Sequence, residues 1–166
     1  MHGGCYRIGN GQPYTRKEFI KGKPQPKIAK YQGGKRGDYD YCVQLCSNEK
    51  MQIRHMAIES ARLAANKAVE QVAGESGYYS VLRIYPHVLL RENKMIATAG
   101  ADRLQEGMRR AFGKAVSLAA RVKRGQVLME MHVKKDHLDL AKKALSGACV
   151  KLPVTPTIKV IPLKKN

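Results

Sequence analysis

The chain has 166 residues, with 31 Lys and Arg against 13 Asp and Glu, a formal net charge of +18. That length suits one domain with extensions, and an apolar fraction of 43% allows a modest core. So large a positive excess repels itself unless an anion neutralises it. No stretch nears the ~20 consecutive apolar residues of a membrane span, and the amino terminus lacks a secretory signal's apolar run. The expected partner is therefore nucleic acid in a reducing, cytoplasmic compartment, with neither a membrane nor a small-molecule substrate.

Residues 1–37 read as a basic extension. Gly3-Gly4, Gly9, Gly11, Pro13, Gly22, Pro24, Pro26 and Gly33-Gly34 leave neither a period of 2 nor one of 3.6. Arg7, Arg16, Lys17, Lys21, Lys23, Lys27, Lys30, Lys35 and Arg36 are candidate phosphate contacts. Tyr6, Tyr14, Phe19 and Tyr31 stand between them as rings able to stack on bases.

A single core domain is expected over 38–163. Alternation predicts a first strand near Asp40–Cys46. Asn48 with Glu49 then predicts a helix cap, and a helix to about Val72 with Ile53, Met56, Ala57, Ala61, Ala64, Ala68 and Val72 as its inner stripe. Gly74 ends that helix. Tyr79–Tyr85 alternates, with Leu82 and Ile84 on one face, and His87–Arg91 is a short apolar strand before a turn at Glu92-Asn93-Lys94.

A mobile loop is expected over 98–117, punctuated by Gly100, Gly107 and Gly113. Its end resembles a phosphate loop only superficially. Five residues separate Gly107 from Gly113, and Ala115 stands where a magnesium-binding hydroxyl belongs. Strands over Leu118–Val122 and Gln126–Val133 follow, joined across Lys123-Arg124-Gly125. Asp136 is the expected cap of a helix over His137–Ser146, with Leu138, Ala141, Ala144 and Leu145 inward and Gly147 closing it. Val150–Leu152 and Ile158–Ile161 are short final strands, and residues 164–166 are a basic tail. The layout is an α+β domain, two helices against a mixed or antiparallel sheet.

Cys42 and Cys46 lie in an alternating stretch and read as small buried side chains. No second pair of Cys or His follows at finger spacing to complete four zinc ligands; whether any cysteine holds a metal stays open. No catalytic triad, cofactor loop or metal set is apparent, so no enzyme, cofactor or metal is expected. A stand-alone tRNA-binding or tRNA-modifying protein is the alternative, and as an enzyme it would need one of those constellations.

Longer strings carry more information. Cys5-Tyr6-Arg7, Pro13-Tyr14-Thr15-Arg16-Lys17-Glu18-Phe19-Ile20 and Arg91-Glu92-Asn93-Lys94-Met95 are three of them. The most specific runs from Ala99-Gly100-Ala101-Asp102-Arg103-Leu104-Gln105 through Gly107-Met108-Arg109 to Ala111-Phe112-Gly113-Lys114, followed by Ala120-Arg121-Val122 and Gly125-Gln126. In these the chain resembles the archaeal and eukaryotic L-ten-e branch of the universal L-sixteen family of large-subunit ribosomal proteins. The resemblance implies an α/β-hammerhead-type fold, large-subunit rRNA, tRNA and neighbouring ribosomal proteins as partners, and no catalytic residue. It adds Arg91, Lys94, Arg121, Lys123 and Arg124 to the candidate rRNA contacts. It places Arg103, Gln105, Met108, Arg109, Arg110, Phe112 and Lys114 on a loop facing tRNA and the peptidyl transferase region. Ala115 and Ser117 depart from the family's usual proline and glycine.

Overall fold

A computed structural model describes residues 1–9, 20–95, 106–109 and 111–163. Among these, eight strands form two antiparallel sheets: β1 (Gln32–Gly34), β2 (Tyr41–Ser47), β3 (Met51–Arg54), β4 (Tyr78–Leu82), β5 (Val88–Glu92), β6 (Lys114–Val122), β7 (Val127–Val133) and β8 (Pro156–Pro162). The larger sheet has the order β1-β4-β7-β2-β8, and the smaller β3-β6-β5. Two helices, α1 (His55–Ala73) and α2 (Leu138–Cys149), pack on each other and on the larger sheet. The α+β class expected from the sequence is what the structure has, with two sheets where one was expected.

Alternation decides which face of the larger sheet meets the helices. Val43, Leu45, Met129, Met131, Val133 and Tyr78 are buried in one cluster with Ile58, Ala61, Ala65 and Val69 of α1 and Ala141, Ala144, Leu145 and Ala148 of α2. The small residues of both helices permit their close approach. Cys42, Gln44, Glu130 and His132 point to the opposite face, in register across β2 and β7.

Several expected elements differ. Met51–Arg54 is not the start of a helix but a strand, paired with Ala119–Val122 of β6. Neither Asn48 nor Glu49 caps α1, whose N-cap is Arg54 without a side-chain bond. Four backbone pairings with β6 outweigh one cap, and the later start rotates the buried stripe. Val72 and Met56 are 68% and 41% exposed, while Ile58, Arg62, Ala65 and Val69 turn inward. The turn at Lys123-Arg124-Gly125 does not close a hairpin, because β6 lies in the smaller sheet and β7 in the larger. The chain crosses between the sheets four times, and two of the crossings, from β2 to β3 and from β6 to β7, are tied: Ser47 N–H donates to Gln126 O at 2.9 Å and Gly125 N–H to Ser47 O at 2.7 Å.

A 3-10 turn at Lys135–His137 replaces the Asp136 cap, and α2 runs through Gly147 to Cys149. Val150–Leu152 is a turn rather than a strand. Strand β6 begins at Lys114, four residues before the expected strand, because Lys114 and Ala115 pair with Glu92 and Arg91. Gly113 makes this pairing possible: a Cβ there would lie 2.3 Å from the backbone of Glu92. Residues 1–37 hold more structure than their composition suggests, with a short 3-10 turn at Gly3–Cys5 and strand β1. No described helix is long and apolar enough to cross a membrane.

Candidate nucleic-acid interface

The extension is fastened to the core by a few specific groups. Ile28 is 8% exposed among core residues. Leu82 N–H donates to Tyr31 O at 2.8 Å and Lys35 N–H to Tyr78 O at 3.0 Å. Gly34 has a φ of 72°, and a Cβ there would meet the Tyr78 carbonyl oxygen at 2.2 Å, so no other residue fits. While Pro24, Pro26 and Ile28 turn toward the protein, Lys21, Lys23, Lys27 and Lys30 stand exposed between them. This alternation converts a chain without core-forming periodicity into a row of outward cations.

Residues 6–9 lie along β3. Gln52 N–H donates to Arg7 O at 2.8 Å, the Gln52 amide donates to Tyr6 O at 2.7 Å, and Arg121 donates to Gly9 O at 3.1 Å. The Arg7 guanidinium itself reaches Pro153 O at 2.7 Å. Beside this segment opens a groove of about 420 Å³ whose lining includes Lys50, His87, Arg121, Lys123 and Gln126. Arg124 is exposed on the adjoining turn.

A second groove, about 460 Å³, joins the extension to the base of the loop. Lys21 and Gly22 line it with Arg91, Phe112, Gly113 and Lys114. The Arg91 guanidinium stacks 3.3 Å from the centre of the Phe112 ring and donates from Nε to Gly113 O at 2.6 Å. Arginine on a phenyl face gains a cation–π attraction, and Phe112 remains 65% exposed. A ring and a guanidinium held in one stack form a surface of the kind on which nucleobases stack.

The structure therefore brings together Arg121 and Lys123 around the first groove, and Lys21, Arg91, Phe112 and Lys114 around the second, while the Arg7 guanidinium is held at Pro153 O and lines neither. Exposed Met108 and Arg109 lie at the turn over residues 106–109, where Gly107 has a φ of 61°. Lys35 and Arg36 follow β1 at the outer edge of the larger sheet and line neither groove. Lys94 is exposed just beyond β5. Arg16, Lys17, Arg103, Gln105, Arg110 and the tail lie outside the described residues.

Sequence reasoning missed Lys50 as a groove residue. It sits in the turn between β2 and β3, a segment the helical reading had absorbed. His87 shares that groove's lining although it stands far from Lys50 in sequence.

The other side of the larger sheet carries a polar cluster. Arg83 donates to Glu130 Oε2 from Nε at 2.6 Å, and Gln44 Nε2 donates to Glu130 Oε1 at 2.9 Å. His132 Nε2 lies 4.0 Å from both Glu130 Oε2 and Cys42 Sγ. Burial and the Glu130 carboxylate push the Cys42 thiol up to about 11. Burial also lowers the His132 pKa.

Comparison with known proteins follows the same direction. Residues 10–159 match the family model described as ribosomal protein L16p/L10e. The chain is 55% identical over 158 residues to large ribosomal subunit protein uL16 of Hyperthermus butylicus, covering 95% of this chain and 88% of that protein. It is 52% identical over 161 residues to the protein of that name from Staphylothermus marinus, covering 96% and 92%. With the one from Metallosphaera sedula, identity is 50% over 167 residues, covering 99% and 95%.

Proposed function

The chain belongs to the ribosomal protein L16p/L10e family, and from this we propose that it is a structural, non-enzymatic constituent of the large ribosomal subunit. Its partners in that role are large-subunit rRNA and neighbouring ribosomal proteins. The single observation that carries the RNA reading is the convergence of separate basic segments on two grooves flanking the smaller sheet. The turn at Lys50, the strap around Lys21 and the two ends of β6 are distant in sequence, yet each contributes cations there. We assign the first groove, with Arg121, Lys123 and Lys50, to the rRNA backbone, since compact ammonium and guanidinium groups suit phosphate. The second, with Arg91 stacked on Phe112, suits an unstacked base. Met108 and Arg109 belong to the loop assigned to tRNA.

The test is a salt titration of binding to large-subunit rRNA. Each neutralised phosphate contributes about 0.7 to 0.9 to the slope of log K against log salt. Arg121→Ala with Lys123→Ala should flatten the slope by about 1.4 to 1.8, two contacts' worth. Arg109→Ala should leave that slope unchanged and weaken A-site tRNA affinity in reconstituted subunits. An unaltered slope in the double variant would sink the assignment of the first groove, and unaltered tRNA affinity the assignment of the turn.

A further inference from the structure

We propose that Cys42, Glu130 and His132 form a binding site for a zinc-like divalent cation on the face of the larger sheet opposite the helices. This rests on sheet geometry and donor chemistry, not on the ribosomal reading. Glu130 and His132 are two apart on β7, so their side chains leave the same face. Cys42 is the direct cross-strand partner of His132. Two alternate residues on one strand and one opposite on its neighbour bring three donors to a point without help from a loop. The donor atoms of all three lie within 4.8 Å of one another, the one such trio of His, Cys, Asp or Glu among the described residues.

The distances suit a metal after a small contraction. A tetrahedral centre with bonds of about 2.0 to 2.3 Å sets neighbouring donors about 3.3 to 3.6 Å apart. His132 Nε2 is 4.0 Å from Cys42 Sγ and 4.0 Å from Glu130 Oε2, so each gap must close by about half an ångström. One sulfur, one nitrogen and one oxygen favour zinc or cobalt over calcium or magnesium, which prefer oxygen alone. Three protein ligands leave a fourth position for water. Cys42 and Glu130 are 4% and 6% exposed, so the site is largely shielded from bulk solvent.

The surroundings also fit. Gln44 already holds Glu130 Oε1, leaving Oε2 aimed toward His132, and such outer partners orient metal ligands. Arg83 neutralises the same carboxylate oxygen, and its side chain is 54% exposed. It can swing into water when a cation takes its place. Cys42 binds as the thiolate, its proton passing to solvent. Arg83 thus acts as a competitor: it satisfies the buried carboxylate without metal and opposes the incoming charge.

The experiment titrates the full-length protein with cobalt(II), then displaces it with zinc, in a background with Cys5→Ser and Cys149→Ser. The expected result is one equivalent of cobalt with a thiolate-to-cobalt charge-transfer band that zinc abolishes. Cys42→Ser should erase the band, whereas Cys46→Ser should leave it. Gln44→Leu should weaken binding about 10- to 100-fold, the range for outer-shell partners. Arg83→Gln should strengthen it, an effect that a purely structural cluster would not produce. Failure of the background protein to develop the band, or a band that survives Cys42→Ser, would overturn the proposal. So would an Arg83→Gln variant that binds more weakly than its parent.

Discussion

His55, at the first turn of α1, is 3% exposed. Lys27 N–H donates to its Nδ1 at 3.4 Å, so Nε2 carries the proton and faces Ser117 Oγ, also at 3.4 Å. One imidazole thus links the strap, the first helix and β6 in its neutral form. Burial, then Arg54 and Lys27, lower its pKa below the ordinary value. The sign follows directly. Above about pH 6.5 the ring is neutral in both states and its native contacts count in full. As pH falls below that, the unfolded chain takes up a proton that the folded protein resists, and stability is lost until the folded pKa is passed. The loss can reach about 1.4 kcal/mol per pH unit for one group. His132 has a shift in the same direction and contributes its own share. Chemical denaturation between pH 7.5 and about 5 should show the decline, and His55→Gln should make it shallower. A decline of equal slope in that variant would assign the effect elsewhere.

At the level of elements, the strap is the segment that composition described least well. Glycine and proline spacing removes any regular period, and that much is local and readable. What holds the strap is the Ile28 side chain, backbone bonding to β4 and the Lys27 bond to His55, none of which leaves a periodic trace. Ile28→Ala should cost about 2 to 4 kcal/mol if the site cannot collapse around the gap. Its signature should be local. Amide exchange at Leu82 and Lys35, whose N–H groups bond across this seam, should accelerate, while the middle of α1 stays protected. RNA affinity should fall as well, because Lys21, Lys23 and Lys27 would no longer be held in a row. Unchanged exchange at Leu82 would mean that β1 stays docked without Ile28. The turn at Lys123-Arg124-Gly125 makes the same point differently. Two alternating runs are joined directly by a glycine turn, yet the strands enter different sheets. Pairing partners are chosen among all strands of the fold, not only between neighbours in sequence.

At the scale of the whole molecule, the net charge of +18 acts against the folded state and for the complex. These effects should respond to salt with opposite signs. Raising ionic strength from about 0.01 to 0.15 M shortens the screening length from about 30 to 8 Å. The free protein should melt at a higher temperature over that range as self-repulsion is screened, while its affinity for RNA falls. A free-protein melting temperature that drops with salt would show that pairs such as Arg62–Glu59 and Arg83–Glu130 outweigh the repulsion. The sequence by itself determined the polyanionic partner, the α+β class, most strands of the larger sheet and the membership marked by the string from Ala99 to Lys114. Charge, period-2 alternation and residue order are all properties of the chain read locally. Only the tertiary structure decided that Met51–Arg54 is a strand, that Lys50 and His87 share a groove with Arg121, and that Cys42 meets His132 and Glu130 rather than Cys46. Each of these depends on pairing between segments far apart in the chain, where the partner supplies the free energy that local propensity lacks.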